Sequence, residues 1–201
     1  MSSPIIGRMT EDKNGNLWIY TEGGGVNVYD RKKGIFQWFR HEERKNSISH
    51  NNVKAIYYDE KAEKMWIGTH LGGLNRLDIR SGHFTHYRME DNIRQTLPSD
   101  IVRDIIPYKD LLIVATQNGV CLFDPDSGKC RQLFKDSKEG KSIKMVADIL
   151  LDSEGTLWIA ATGEGVFNYR FDTRKLTNYR HDTANPNSLS NNNVNNIMQD
   201  S

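Results

Sequence analysis

The sequence has little cysteine, no long apolar run and no excess of charge of either sign. Two cysteines in 201 residues, Cys121 and Cys130, are too few for a disulfide scaffold. They flank Asp124-Pro125-Asp126-Ser127-Gly128, a turn sequence, and so sit on the two arms of one hairpin. The expectation is a pair of half-buried thiols, because free cysteine is commonly buried. A disulfide would need the two to face each other closely, which the turn alone does not fix. No apolar stretch approaches the roughly 20 residues a helix needs to cross a bilayer. A net charge of +1, with both signs interspersed, gives no bulk attraction to nucleic acid or to an anionic membrane surface. Met1-Ser2-Ser3-Pro4 lacks the basic start and apolar stretch of a signal peptide.

Catalytic signatures are missing as well. There is no Gly-x-Ser-x-Gly elbow, no His-Glu zinc motif and no carboxylate pair at a catalytic spacing. The six histidines show no metal-ligand spacing. His41 and His181 instead fill one place in a repeat, each before an acidic residue. An enzyme reading therefore has no residues to rest on, and no cofactor or metal is expected.

What is present is a repeat. Leu17-Trp18-Ile19-Tyr20-Thr21 returns as Met65-Trp66-Ile67-Gly68-Thr69 and as Leu157-Trp158-Ile159-Ala160-Ala161, with a degenerate copy at Leu112-Ile113-Val114-Ala115-Thr116. Trp18, Trp66, Ile113 and Trp158 stand 48, 47 and 45 residues apart, a period of propeller blades or paired-helix solenoids. Eight residues after each tryptophan stands Val26, Leu74 or Val166, and 13 residues further Phe39, Tyr87 or Tyr179, each followed by arginine. The degenerate copy keeps Val120 and Leu133 at these places.

Short alternating apolar stretches, such as Val53, Ala55 and Tyr57, separated by Gly, Asn and Asp clusters, read as strands and turns. No apolar period of three to four residues runs for helical length, which excludes the solenoid. Each unit holds four strands, as in 53–58, 65–69, 74–78 and 83–88. The fold class is all-β: a propeller of four four-stranded antiparallel blades at about 5–40, 52–88, 101–134 and 146–180. Residues 193–199 repeat the first-strand pattern and are read as the opening strand of a fifth blade, which makes the chain a portion of a larger propeller. A lone sheet buries neither face. Stacked blades do, with Trp18, Trp66, Ile113, Trp158, Phe39, Tyr87 and Tyr179 as the core between them.

These residues resemble the two-component regulator propeller repeat, through Ile48-Ser49-His50-Asn51-Asn52-Val53, Met65-Trp66-Ile67-Gly68-Thr69 and Gly72-Gly73-Leu74. The fourth unit matches through Leu189-Ser190-Asn191-Asn192-Asn193-Val194 and Gly155-Thr156-Leu157-Trp158-Ile159. The third departs, with Ile113 for tryptophan and Asn118-Gly119-Val120 for the double glycine. The resemblance implies the periplasmic sensor region of hybrid two-component histidine kinases of Bacteroidetes, which sense polysaccharide fragments and control glycan-utilisation genes. Contact with a membrane would then come only through segments downstream of this chain.

In a propeller, the turns from second to third strand and the connections between blades share one rim, where ligands commonly bind. That reading makes Glu22, His70, Gln117 and Glu164 candidate ligand contacts, because they vary between repeats while their neighbours do not. The polar loops 42–50, 90–100, 136–142 and 182–191 lie near the same rim. Trp38 is added as an exposed aromatic, since its counterparts His86 and Asn178 are not aromatic. The repeated tryptophans are read as core rather than sugar platforms. The glycine pairs, with no helix after them, are read as turns rather than phosphate loops. A non-catalytic oligosaccharide sensor is the leading expectation, and the alternatives are a protein-interaction scaffold and a propeller lyase or glycosidase. Open apolar faces at the two ends of the arc make self-association an expectation too.

Overall fold

The computed structural model describes residues 2–43, 45–90 and 95–200. It is all-β, with four antiparallel four-stranded sheets stacked in a propeller-like way. The first blade is β1 (Ile6–Glu11), β2 (Leu17–Thr21), β3 (Gly25–Asp30) and β4 (Ile35–Phe39). The second is β5 (Val53–Asp59), β6 (Lys64–Thr69), β7 (Leu74–Asp78) and β8 (His83–Tyr87). The third is β9 (Val102–Tyr108), β10 (Leu111–Thr116), β11 (Gly119–Phe123) and β12 (Cys130–Gln132). The fourth is β13 (Val146–Leu151), β14 (Thr156–Ala161), β15 (Gly165–Arg170) and β16 (Lys175–Tyr179). Each sheet runs in simple sequence order. Among the described residues the one helical piece is a 3-10 turn at Gly140–Ser142. The first strands pack side by side, β1 on β5, β5 on β9 and β9 on β13, and so form the inner wall of the arc.

Three apolar layers lie between the four blades. Trp18, Val26 and Val28 of the first blade meet Met65, Ile67 and Leu77 of the second. Trp66 and Leu74 meet Ile105, Val114 and Phe123 of the third. Ile113, Val120 and Leu122 meet Ile149, Leu157 and Phe167 of the fourth. Each blade therefore presents its tryptophan face forward and its Met/Leu/Ile face backward. Burial follows this order. Trp18, Trp66 and Ile113 are buried and Phe39 and Tyr87 half-buried, whereas Trp158 is only half-buried and Tyr179 is 44% exposed. Trp158 and Tyr179 stack on each other at 6.0 Å, but no described blade lies beyond them.

Two details of the turns set the blade. Asp12 Oδ1 accepts the N–H groups of Asn14 (2.9 Å) and Asn16 (3.0 Å), and its Oδ2 accepts the Trp18 indole N–H at 2.9 Å. Asp152 does the same with Glu154, Thr156 and the Trp158 indole. The aspartate before the turn thus ties the hairpin to the tryptophan that follows it. In the second blade the turn is one residue longer, Asp59 falls out of register, and the buried Trp66 indole N–H has no partner. At the other end, Gly25 and Gly165 open their third strands and Gly73 immediately precedes its own, with φ of +77°, +81° and +74°. A Cβ there would lie 2.2–2.3 Å from the carbonyl oxygen of Phe39, Tyr87 or Tyr179, so the site demands glycine on both counts.

Two expectations change. Cys121 and Cys130 are not thiols: they form a disulfide with a Cα–Cα distance of 6.0 Å. Cys130 pairs with Phe123 across β11 and β12, two residues from Cys121, so the cysteines are diagonal neighbours on the hairpin. Residues 193–199, expected as the first strand of a fifth blade, form no strand. A first strand takes its ladder from the second strand of its own blade, and none follows among the described residues. The segment still keeps the first-strand position: the Ile197 N–H donates to Asp148 at 2.8 Å, as the Ile149 N–H donates to Asp104 at 3.4 Å.

Candidate ligand-binding rim

The turns between second and third strands lie at one end of every sheet. In each, the residue four after the tryptophan position ties back to the start of the first strand. The N–H of Glu22 donates to Ile5 O (3.0 Å), that of His70 to Asn52 O (2.8 Å) and that of Gln117 to Ile101 O (2.9 Å). In the fourth blade this place belongs to Thr162, whose N–H donates to Met145 O at 3.2 Å. The structure thus puts Glu22, His70 and Gln117 in one column, one per blade. Glu164 stands two residues further along the turn, where Gly24 and Gly72 stand in the first two blades, and its carboxylate pairs with Arg180. Trp38 lies on the outermost strand β4, 60% exposed, paired across the ladder with Asn27 and away from the column. Loop 90–100 falls partly outside the described residues.

Side chains the sequence reading passed over complete this rim. In every blade the pairing of first and second strands slips at one point, between Ile6 and Met9, Val53 and Ala55, Val102 and Asp104, and Val146 and Asp148. Such bulges re-aim the residue they contain. The bulged residues include Lys54 and Arg103. Lys54 forms an ion pair with Glu22 of the preceding blade, which holds the Glu22 carboxyl below its ordinary pKa. His50 is also lowered, first by burial and then by the positive charges of His70, His41 and Arg88.

On the inner wall, the residues next to the bulges are Arg8, Ala55, Asp104 and Asp148. Arg8 of the first blade donates to both oxygens of Asp104, at 3.0 and 3.1 Å, and its other nitrogen bonds Asp148. Both carboxylates are buried. Burial, with the neighbouring Asp148 adding to it and Arg8 opposing it, pushes Asp104 up to about 6. This triad joins three blades. Among the described residues, no three His, Cys, Asp or Glu side chains are grouped to hold a metal ion.

The arrangement has close counterparts among solved structures. The extracellular domain of the hybrid two-component system BT3049 of Bacteroides thetaiotaomicron superposes with a TM-score of 0.80, over 90% of this chain and 25% of that one, at 23% identity. The chain shares the fold of Bacteroides sensor extracellular domains. Two structures of the extracellular domain of BT4673 from the same organism, described as a hybrid two-component and as a one-component system, agree. Their TM-scores are 0.76 and 0.71, at 20% and 25% identity, over 96% and 91% of this chain and 24% and 25% of theirs. The chain thus spans about a quarter of the length of these sensor domains. No family model matches the sequence, and neither does any curated protein. No helix among the described residues is long and apolar enough to cross a membrane.

Proposed function

We propose that this chain is a non-catalytic, ligand-sensing propeller segment of a hybrid two-component sensor histidine kinase, placed in the periplasm. It responds to polysaccharide-derived oligosaccharides, and the full-length protein controls glycan-utilisation genes. The observation that carries this reading is the likeness to a hybrid two-component extracellular domain over 90% of the chain. The Cys121–Cys130 disulfide supports the compartment, because disulfides persist where the medium is oxidising. The rim supports the ligand class: several blades each contribute a polar side chain at one register position, which suits a long, hydroxyl-rich molecule better than a small apolar one. Binding across blades would favour one packing of the arc over another and so bias the signalling state, to the extent that the ligand prefers one of the two.

The test is calorimetric titration with purified oligosaccharides from several polysaccharide classes, with the products analysed after prolonged incubation. Saturable heat without turnover supports the reading. Cleavage of the sugar would replace it with a propeller lyase or glycosidase. A second reading, a protein-interaction scaffold, is favoured by one observation. The backward face of the first blade leaves Met9 60% exposed, with Ile6 and Phe36 also exposed. A partner protein or a second copy of the chain would cover it.

A further inference from the structure

The charges on the rim are not balanced blade by blade. Two columns of the repeat decide this. In the first column the bulged basic residue faces the turn of the preceding blade, and Lys54 meets Glu22 there. One blade further on, the same two places hold Arg103 and His70. Neither Arg103 Nε nor His70 Nδ1 has a hydrogen-bond partner, although both atoms are buried. In the second column an arginine follows the fourth strand. Arg180 pairs with Glu164 and also donates to Gly163 O at 3.3 Å. Its counterpart Arg88 faces a turn in which Gly72 stands where Glu164 would be, and Arg88 has no hydrogen-bond or ion-pair partner among the described residues.

Two more groups close the place. His50 lies against Gly72, where an added Cβ would come within 2.9 Å of the His50 Cβ. His50 Nδ1 accepts the Asn52 N–H at 3.0 Å, which puts the proton of the neutral ring on Nε2 and leaves it to donate elsewhere. Asn52 Oδ1 is buried and unpartnered. The nearby carboxylates are occupied: Glu22 by Lys54, and Asp100 by the Met89 N–H at 2.7 Å. The second blade thus gathers several N–H donors and one carbonyl acceptor without partners, at a net positive spot on the rim.

We propose that this spot, between His50, His70, Arg88 and Arg103, is a subsite for the acidic residue of an oligosaccharide. The carboxylate or sulfate ester takes the arginine and imidazole N–H groups, and a neighbouring sugar hydroxyl donates to Asn52 Oδ1. The arginine fork matches the geometry of either anion, and a charge-assisted contact is stronger than a neutral one. The proposal rests on the glycan-sensing reading above and narrows it to acidic glycans.

The experiment is calorimetric titration of the chain with four probes: a neutral oligosaccharide, a uronate-containing one, a sulfate-ester one of similar length, and inorganic sulfate alone. Three variants are compared, Arg88→Gln, Arg103→Gln and, as a blade-four control at the end of the sheet away from the rim, Arg170→Gln, whose guanidinium pairs with Asp172. The expected result is binding of at least one acidic oligosaccharide, weakened tenfold or more by R88Q and R103Q and unchanged by R170Q. Arg88 is exposed, so R88Q carries the test even if R103Q does not fold. Neutral oligosaccharide binding as strong as acidic, and indifferent to R88Q, would overturn the acidic subsite and leave glycan sensing standing. Inorganic sulfate binding as tightly as the acidic oligosaccharides would make this an ion site and overturn the sugar subsite. No binding of any oligosaccharide would overturn both.

Discussion

Replacing Asp12 with alanine tests the idea that the turn aspartate, and not the turn alone, seats the tryptophan. The Asp12 carboxylate accepts the Asn14 and Asn16 N–H groups, the Asn16 side-chain amide at 3.0 Å and the Trp18 indole N–H. The first three donors lie at the turn, and water can replace the lost acceptor. The indole is buried, and its N–H would be orphaned. An orphaned buried donor costs about 1–3 kcal/mol, and losing a charged acceptor from the turn adds about 1 kcal/mol. The expected loss is therefore about 2–4 kcal/mol, or roughly 4–15 °C in melting temperature for a chain of this size. Asp59→Ala is the internal control. Its carboxylate accepts the Ala62 N–H at 3.1 Å and does not hold Trp66, so the variant should stay within about 1 kcal/mol of the parent.

The measurement is urea unfolding followed by tryptophan fluorescence, repeated across pH. Burial raises the Asp12 pKa, but the hydrogen bonds from Trp18, Asn16 and Asn14 outweigh it, and the folded pKa lies below the unfolded one. The contribution is therefore complete above the unfolded value of about 4 and is lost as the pH falls through the folded value. The gap between parent and Asp12→Ala should be full at pH 7 and narrow below pH of about 4. Equal losses for Asp12→Ala and Asp59→Ala, or a gap independent of pH, would refute the reasoning.

Four further outcomes are expected. Trp66→Ala should cost about 3–5 kcal/mol in urea unfolding, the usual cost of emptying a core aromatic site, and an unchanged midpoint would put Trp66 on the surface. Reducing Cys121–Cys130, which spans nine residues of sequence, should cost about 2–3 kcal/mol and raise hydrogen exchange in β12 first. Burial holds the folded Asp104 pKa near 6, above its unfolded value, so this group's contribution to stability is fully present below the unfolded pKa and is lost as pH rises through 6; in Asp104→Asn that falling component of the pH profile should vanish. Size exclusion with light scattering should show the chain self-associating through its first and last blades, and a monomer over a wide concentration range would contradict it.

The fold was legible because a propeller-like stack repeats its physics. Every blade needs a tight turn and a tryptophan or large aliphatic residue facing the next sheet, and three of the four need a glycine where the fourth strand's carbonyl leaves no room for a Cβ. Those needs recur at fixed offsets in the chain, and the strands found at Val53–Asp59, Lys64–Thr69, Leu74–Asp78 and His83–Tyr87 lie where alternation and turn residues put them. What depends on a partner outside the repeat was not legible. Trp158 has the same sequence context as Trp18 and the same aspartate clamp, yet it is half exposed, because burial comes from the following blade and not from its own.

The rim was half legible for a related reason. Glu22, His70 and Gln117 could be found by counting from the tryptophan, but the count fails in the fourth blade. There Thr162 takes the column, and Glu164 joins a different one with Arg180. Lys54 and Arg103 occupy one repeat position and follow an apolar residue in the same way, so their equivalence was readable. Their exposure to the rim was not, because it comes from a bulge, a slip in pairing with no residue type of its own. The Arg8 cluster was beyond reach altogether. Its partners lie 96 and 140 residues away, and the column that holds them reads arginine, alanine, aspartate, aspartate, with no shared chemistry. Only the curvature of the inner wall brings a first-blade arginine to the carboxylates of the third and fourth. The same reasoning locates where this chain's individuality lies. Residues that seat one blade on the next are fixed by the repeat, whereas the residues pointing to the rim and the axis differ from blade to blade. A ligand that tells this protein from others of its fold has those side chains to read.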